Sequence, residues 1–419
     1  MPSVEGLGAR KAALHMLDSV LRRGHTLEGA ASSADRSLSG PDRALALAIA
    51  GETLRRLPDL DTLIDSATRQ RLPEDSKARM VLRLALAQKV GLGTPEHALV
   101  ATALPLVDGG PRRLVHGVLG TLLRRGVPTS DAPKLPQPVE ERWRNAWGDQ
   151  RVDAARRQIA RRPPLDLSFK NSDAARSYAA AHGGVSLAPR HVRLESASVT
   201  DLPDFGDGHW WIQDLAASLP ARLIPDGSMG VLDLCAAPGG KTMQLAGGGH
   251  RVAAVDSSKS RLGRLSENLE RTHLDAELIK ADALTWETDK QFDAILLDAP
   301  CSATGTYRRH PEVLYRARAD IIASNAELQA KLLESAIRWL SQAGPLVYSV
   351  CSLEPQEGEE VISALLRTHP ELKIDPPKPG ELPDFVDASP EGWVRILPGL
   401  LEDQGGLDGF FIARLVRRG

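Results

Sequence analysis

Two cysteines stand directly after apolar runs that look like buried strands, and their thiols are the groups best suited to covalent chemistry. Cys301 lies in DAPCSATG, which follows the run 294–297, and Cys351 follows PLVYSV at 345–350. A thiol is the natural nucleophile for an electron-poor ring carbon, although only a small part of an unperturbed thiol is ionised near neutral pH. Each cysteine could instead be a small buried hydrophobe, or the two could form a redox pair.

Positive charge near these thiols would raise their ionised fraction. Arg308 and Arg309 follow Cys301 in TGTYRRHPE, and helix N-termini should point toward the same region. We therefore expect local positive charge to favour the thiolate form.

A glycine-bearing turn in VLDLCAAPGGKT, residues 231–242, predicts a nucleoside site. A phosphate-binding Walker A loop needs glycine where Cys235 stands, and no GxGxxG pattern is present. Gly239 and Gly240 still allow close approach of a ligand to the backbone. S-adenosylmethionine has a base, a sugar and an amino-acid tail but no phosphate, so it fits this turn.

Three acids close successive strand-like runs: Asp256, Asp282 and Asp298. Any one acid after a strand is more often a turn or helix cap. An acid at the position of Asp256, 17 residues after Gly239, is close to where nucleotide-binding folds hydrogen-bond a ribose. Three such acids in a sheet that opens with a glycine turn favour cofactor binding.

The elements that must position these residues alternate between short apolar runs and helical stretches from residue 229 onward. VLDL, RVAAVD, AELIKAD, FDAILLD and PLVYSV are strand-like, whereas 259–271 and 320–340 have helical character. This alternation predicts an α/β fold with a parallel, doubly wound, Rossmann-like sheet, which binds ligands at the carboxyl edge of its strands. Neighbouring strands lie about 4.8 Å apart, so Cys301 and Cys351 are expected within a few ångströms of each other.

The first part of the chain shows helical spacing only, which predicts an all-α domain over residues 1–128. Its apolar stripes are Leu14, Leu17, Leu21; Leu45, Ile49, Leu54; Val81, Leu84, Ala87; and Leu114, Val118, Leu122. We expect a Pro-rich linker at 129–139, a small α/β subdomain at 140–225 that begins with a basic helical piece, and the catalytic domain at 226–419.

Charge is distributed unevenly along the chain. Residues 1–128 carry 18 lysines and arginines against 13 acidic residues, a net charge of +5, and the remainder carries 34 against 41, a net charge of −7. Adjacent arginines at 22–23, 55–56, 112–113 and 124–125 could follow a phosphate backbone. The alternative is an ordinary solvated helix face.

Length and composition limit the class of protein. At 419 residues, two or three domains are expected, and the chain has no run of 18 uncharged apolar residues. The start, MPSVEGLGARK, lacks the apolar core of a signal peptide, so we expect a cytoplasmic protein. Three cysteines are too few for a disulfide framework or a four-cysteine zinc site, so reduced thiols and no metal are expected.

Several motifs together resemble the RNA 5-methylcytosine methyltransferases of the NOL/Nop/Sun family. They are CAAPGGKT, DAPCSATG, RRHPE, the CS of VCSLEP, WIQDLAAS at 211–218, RILPG and DGFFIARL. The resemblance covers roughly residues 140–419. An all-α unit similar to the RNA-binding protein NusB in front of it is typical of bacterial members that act on small-subunit ribosomal RNA.

The resemblance implies roles for individual residues. Cys351 would attack cytosine, and Cys301 would assist removal of the carbon-5 proton and release of the product. Asp298 would hydrogen-bond the pyrimidine edge and stabilise the adduct. The S-adenosylmethionine contacts would be Cys235, Ala236, Ala237, Pro238, Gly239, Gly240, Lys241, Asp256, Asp282 and Asp298. The partner would be RNA, most closely 16S ribosomal RNA, and the protein is expected to act as a monomer without contact to membranes.

Two positions depart from the family pattern. Val350 stands where threonine commonly precedes the nucleophile, and Lys170-Asn171 stands where Arg-Asn is usual. The lysine keeps a charge but lacks the planar fork of arginine. Transfer RNA as the substrate and a non-catalytic RNA-binding role in ribosome assembly remain the alternatives. An exocyclic amine methyltransferase fits less well, since such sites have an aromatic ring where this chain has a thiol.

Overall fold

The computed structural model describes residues 6–33, 38–195, 202–227 and 229–418. Within these ranges the chain forms two compact units. The first consists of the described residues up to 161 together with 307–317, and the second of the described residues from 162 to 306 together with those from 318 onward. The outer limits of the predicted terminal domains, residues 1 and 419, lie outside the described residues, as do the first five residues of MPSVEGLGARK.

The first unit is helical throughout the part that the structure describes, as the apolar spacing predicted. Up to residue 161 its α-helices are α1 (Leu7–Arg23), α2 (Leu27–Ser32), α3 (Gly40–Arg55), α4 (Leu57–Ser66), α5 (Lys77–Leu92), α6 (Glu96–Ala103), α7 (Gly109–Arg125), α8 (Gln137–Trp147) and α9 (Asp149–Ile159). Ser39 and Ser76 begin α3 and α5 by accepting a backbone hydrogen bond with their hydroxyls. None of the described helices of the chain has the length and apolar character needed to span a bilayer.

The core of this unit forms around α5, which is buried on every side from residue 78 to 88. Met16, Leu17, Ile49 and Leu84 are fully buried in it. On α7 the buried face consists of Val115, Val118, Leu119 and Leu122, whereas Leu114 is exposed. The predicted stripe of Leu114, Val118 and Leu122 is therefore wrong at its first residue, because the (i, i+3, i+4, i+7) face that starts at Val115 packs inward.

The second unit contains two sheets. The smaller is antiparallel, with strand order β2-β1-β3, and consists of β1 (Leu165–Phe169), β2 (His191–Leu194) and β3 (Trp210–Ile212). Its core combines Leu167, Phe169, Tyr178 and Trp210.

The helices of the second unit are α10 (Ser172–His182), α11 (Leu215–Arg222), α12 (Gly240–Gly247), α13 (Lys259–Thr272), α15 (Ala319–Trp339) and α16 (Glu359–Thr368), whereas α14 (Val313–Arg316) belongs to the first unit.

The larger sheet has eight strands and confirms the predicted Rossmann-like α/β fold. The strands β4 (Gly230–Leu234), β5 (Arg251–Asp256), β6 (Glu277–Lys280), β7 (Ala294–Asp298) and β8 (Leu346–Val350) are parallel. The strands β9 (Leu372–Ile374), β10 (Val394–Ile396) and β11 (Phe410–Arg417) pair antiparallel, and the order is β10-β11-β8-β7-β4-β5-β6, with β9 beside β11.

The strand order reverses between β4 and β7, which makes this the topological switch point of the sheet. From β4 the chain proceeds outward through β5 and β6, then returns to place β7 on the other side of β4 and β8 beyond it. The strands β7 and β8 are almost completely buried, as expected of parallel strands covered on both faces. Ligands bind at such a switch point, outside the carboxyl ends of the strands.

Candidate active site

The thiols of Cys301 and Cys351 lie side by side in the second unit. Their strands, β7 and β8, are parallel neighbours with Asp298 opposite Ser349. Cys351 directly follows β8, and Cys301 lies shortly after the end of β7. The two Sγ atoms are 3.5 Å apart, and both cysteines are partly exposed and unbridged. The prediction that the sheet brings the two sulfurs within a few ångströms is therefore confirmed.

The electrostatics around Cys301 differ from the sequence-based expectation. The hydrogen bond with the Cys351 sulfur, followed by burial, raises the pKa of Cys301 well above its ordinary value, and the Glu357 carboxylate raises it further. The expectation that Arg308 and Arg309 would favour the thiolate of Cys301 is wrong. The side chains that act most strongly on the pKa of Cys301 are those of Cys351 and Glu357, and neither carries a positive charge.

The carboxylate of Asp298 lies at the end of β7 and is held by two donors. Lys241 Nζ, on the first turn of α12, is 2.7 Å from Asp298 Oδ2, and Ser349 Oγ donates to Oδ1 at 2.8 Å. Lys241 is 8% exposed, and its ammonium lies 5.2 Å from the centroid of the Phe410 ring. The ion pair of Lys241 and Asp298 connects β7 to the helix that follows the cofactor loop. A third of the Asp298 side chain stays exposed to solvent.

The cofactor loop runs from β4 through Cys235 to Gly239 and the start of α12. Gly239 has φ +108°, and a Cβ at this position would lie 2.1 Å from Leu265 Cδ1. Both the backbone conformation and the space therefore require glycine. Burial and the neighbouring carboxylates of Asp256 and Asp298 raise the pKa of Cys235 to about 12. Its thiol thus stays protonated and serves as an apolar wall of the loop.

The two remaining acids lie in different surroundings. Asp256 is buried, and its Oδ1 accepts hydrogen bonds from Ser258 N at 2.8 Å and from Arg261 at 3.0 Å. Its Oδ2 accepts one long bond, from Ala237 N in the cofactor loop at 3.3 Å. Asp282 is exposed two residues beyond β6, where its Oδ1 accepts from Leu284 N as a turn cap. Asp256 therefore contacts the cofactor loop, whereas Asp282 lies after β6, the strand at the edge of the sheet.

These residues fit a nucleoside with an amino-acid tail. A carboxylate oxygen can accept two hydrogen bonds, so Asp256 Oδ2 has capacity for a ribose hydroxyl beside its long bond to Ala237 N. The glycine turn lies at the switch point, where such ligands bind. Ala236, Ala237, Pro238 and Gly240 complete the loop, and Ala236 and Ala237 are buried. The loop would therefore hold S-adenosylmethionine with its backbone and with Asp256.

Two buried acids were missed by the sequence analysis. Burial raises the pKa of Asp233, in the middle of β4, to about 7, although Thr242 Oγ1 donates a 2.6 Å hydrogen bond to it. Glu357 is fully buried and contacts the residues that follow both cysteines. The signal for Asp233 was an acid inside an otherwise apolar strand, and the only signal for Glu357 was its place six residues after Cys351.

Known protein families match two parts of this chain. Residues 7–124 match the NusB family, and residues 221–416 match the family described as 16S rRNA methyltransferase RsmB/F. Ribosomal RNA small subunit methyltransferase B of Vibrio cholerae is 31% identical over 98% of this chain and 98% of its own. The protein of the same name from Xanthomonas campestris is 34% identical, also over 98% of both chains.

A solved structure extends the comparison to three dimensions. It is a methyltransferase homologue from Pyrococcus horikoshii, 28% identical, which covers 71% of this chain and 98% of its own with a TM-score of 0.56. Sequence and fold agree with the family that the motifs predicted. The chain belongs to the RsmB/F family of 16S rRNA methyltransferases.

Proposed function

We propose that this chain methylates carbon 5 of a cytosine in small-subunit ribosomal RNA through a transient bond between Cys351 and the pyrimidine. Membership of the family makes it an S-adenosylmethionine-dependent RNA methyltransferase. The observation that carries the proposal is the pair of thiols, 3.5 Å apart, at the ends of β7 and β8. One thiol can form the bond to the pyrimidine while the other removes the proton from carbon 5.

The chemistry needs a nucleophile because carbon 5 of cytosine is itself unreactive. Addition of the Cys351 thiolate at carbon 6 converts the ring to an enamine, whose carbon 5 can take a methyl group. S-adenosylmethionine, when bound, supplies that methyl group on a sulfonium. Asp298, held by Lys241 and Ser349, presents a carboxylate that can accept from the exocyclic amine of cytosine, which would select cytosine over uracil.

Cys301 would act after the methyl group has been added. Its hydrogen bond to the Cys351 sulfur is the largest cause of its raised pKa, and that bond weakens once the Cys351 sulfur is bonded to carbon. Cys301, which is partly exposed, can then pass its proton to water and, as a thiolate, accept the proton from carbon 5. The electrons of the carbon–hydrogen bond restore the double bond and expel Cys351 as thiolate, which regenerates the enzyme.

Support for ribosomal RNA as the substrate comes from the relatives and from the first unit. Both relatives are named for the small ribosomal subunit, and residues 7–124 match the NusB family. We assign residues 1–128 to RNA binding, 129–139 to a linker, 140–225 to a small subdomain and 226–419 to catalysis. We further propose a monomer that works in the cytoplasm on RNA whose target base is unstacked.

Bisulfite sequencing of total RNA tests this function. A strain that lacks the gene should lose one 5-methylcytosine in 16S ribosomal RNA and regain it when the intact chain is supplied. A strain that regains it with the Cys351→Ala chain would contradict the mechanism. Loss of the modification from transfer RNA instead would establish the alternative substrate, and no change in any RNA would favour a non-catalytic role.

A further inference from the structure

The serines that follow the two cysteines are tied to a single buried carboxylate. Glu357 ends the short 3-10 turn Pro355–Glu357 after β8 and is fully buried. Its Oε2 accepts hydrogen bonds from Ser302 Oγ and Ser352 Oγ, each at 2.5 Å. Its Oε1 accepts from Ser302 N at 2.7 Å and from Asn325 Nδ2 at 3.0 Å. One side chain thus joins the Cys301 loop, the Cys351 loop and α15.

The surrounding bonds make this connection stiff. Ser302 Oγ and Ser352 Oγ are 3.2 Å apart, Thr304 Oγ1 accepts from Leu353 N at 2.9 Å, and Gly305 N donates to the carbonyl of Cys351 at 3.0 Å. The backbone of Glu357 is held as well, because the phenol hydroxyl of Tyr348 donates a hydrogen bond to the Glu357 carbonyl at 2.6 Å. The two loops are therefore fixed to each other directly beside the sulfurs.

We propose that Glu357 is a positioning residue that holds the Cys301 and Cys351 sulfurs in register, so that one can attack the base while the other remains a thiol within reach of carbon 5. This inference rests on the proposed function. A displacement of about 1 Å between reacting groups can cost about 100-fold in rate. Charge adds to geometry, because the Glu357 carboxylate is among the groups that raise the pKa of Cys301.

Two variants separate the geometric role from the electrostatic one. Ser302→Ala combined with Ser352→Ala removes both hydroxyl links and leaves the carboxylate in place. Glu357→Gln keeps the shape and removes the charge, since a serine hydroxyl can accept from the amide nitrogen as readily as it donates to a carboxylate. The matched control is Ser335→Ala, a buried serine on α15 whose hydroxyl accepts from Arg338 and which lies outside this network.

The first readout is catalysis by the full-length protein. We expect the double serine variant to lower kcat by roughly 10- to 100-fold with KM for S-adenosylmethionine unchanged, and Ser335→Ala to behave as wild type. Each variant is first compared with wild type in thermal unfolding. If the double variant does not fold, Ser302→Ala alone replaces it. A folded serine variant with wild-type kcat would overturn the geometric role.

The second readout does not depend on any RNA substrate. Iodoacetamide alkylation of each cysteine is followed across pH by peptide mass spectrometry. Removal of the Glu357 charge should move the alkylation midpoint of Cys301 to lower pH in Glu357→Gln and leave it in place in Ser335→Ala. An unmoved midpoint would overturn the electrostatic role. If wild type alkylates as expected but methylates no RNA, the proposed function fails and the assignment of Glu357 to the thiol pair stands.

Discussion

The Lys241 ammonium lies 2.7 Å from the Asp298 carboxylate and links the helix after the cofactor loop to the strand that leads to Cys301. The lysine is almost completely buried, and its ammonium also lies beside the Phe410 ring. A buried charge of this kind is retained only when a partner compensates it. The pair therefore couples the two halves of the sheet at the switch point and orients Asp298 toward the open edge.

Replacement of Lys241 by methionine should slow formation of the covalent adduct. The substitution keeps the length of the side chain but leaves Asp298 with one donor, Ser349, so the carboxylate loses its fixed orientation. We expect a fall of about 100-fold in the single-turnover rate of adduct formation, a magnitude typical of a lost preorganised charge. The control is Lys290→Met, which breaks an exposed pair with Glu277 on β6. Equal rates in the two variants would contradict a role of Lys241 in the site.

The parallel half of the sheet could be predicted from the sequence because each strand is a short apolar run closed by an acid or a cysteine. The antiparallel strand β11 was not predicted, since DGFFIARL has the same apolar character and its direction depends on pairing with β8, far away in sequence. The segment 307–317, which follows the Cys301 motif in sequence, groups with the first unit. Adjacency in sequence does not determine which core takes up a segment.

The binding edge shows the same division between local and long-range information. Asp256, Asp298 and the glycine turn follow from local patterns, because a strand end fixes where the next side chains lie. The partners of those residues do not, because Lys241 reaches Asp298 across 57 positions and Ser302 reaches Glu357 across 55. Such pairs can be predicted only when the strand order is known, and no local sequence pattern contains the strand order.

Substitution of the two thiols should give opposite results. Cys301→Ala should accumulate a covalent complex with RNA that survives denaturing gels, because the adduct forms but the carbon-5 proton is not removed. Cys351→Ala should give neither adduct nor product. The control is Ser335→Ala, a buried serine on α15 whose hydroxyl accepts from Arg338 outside the site. Accumulation of adduct in Cys351→Ala, and none in Cys301→Ala, would reverse the assignment of roles.

Replacement of Asp233 by asparagine should alter how stability depends on pH. The pKa of Asp233 is raised from 3.8 to about 7 in the folded protein, so between these values the folded state binds a proton that the unfolded state does not. Stability therefore falls as pH rises through this window, by at most about 1.4 kcal/mol per pH unit from this group. Asparagine removes this dependence and keeps an acceptor for Thr242.

Urea denaturation at pH 5 and pH 8 measures this effect. The loss of unfolding free energy between the two values should be smaller in Asp233→Asn than in wild type, and the variant should be the more stable protein at pH 8. Asp387→Asn, on the exposed surface, controls for the general loss of a charge. Parallel pH profiles for wild type and Asp233→Asn would show that this carboxyl is not held in its protonated form.

Replacement of Gly239 by alanine should weaken binding of S-adenosylmethionine while the first unit stays folded. The backbone at φ +108° disfavours any side chain, and the new Cβ would lie 2.1 Å from Leu265 Cδ1, so either the loop or the Leu265 side chain must move. The positive φ alone costs on the order of 1–2 kcal/mol.

The matched control is Gly263→Ala, on α13, where no neighbouring atom lies within 4 Å of the added carbon. Calorimetry should show wild-type affinity for Gly263→Ala and at least about tenfold weaker binding for Gly239→Ala, a loss that corresponds to about 1.4 kcal/mol. Equal affinities would mean that the cofactor binds without the conformation of this turn.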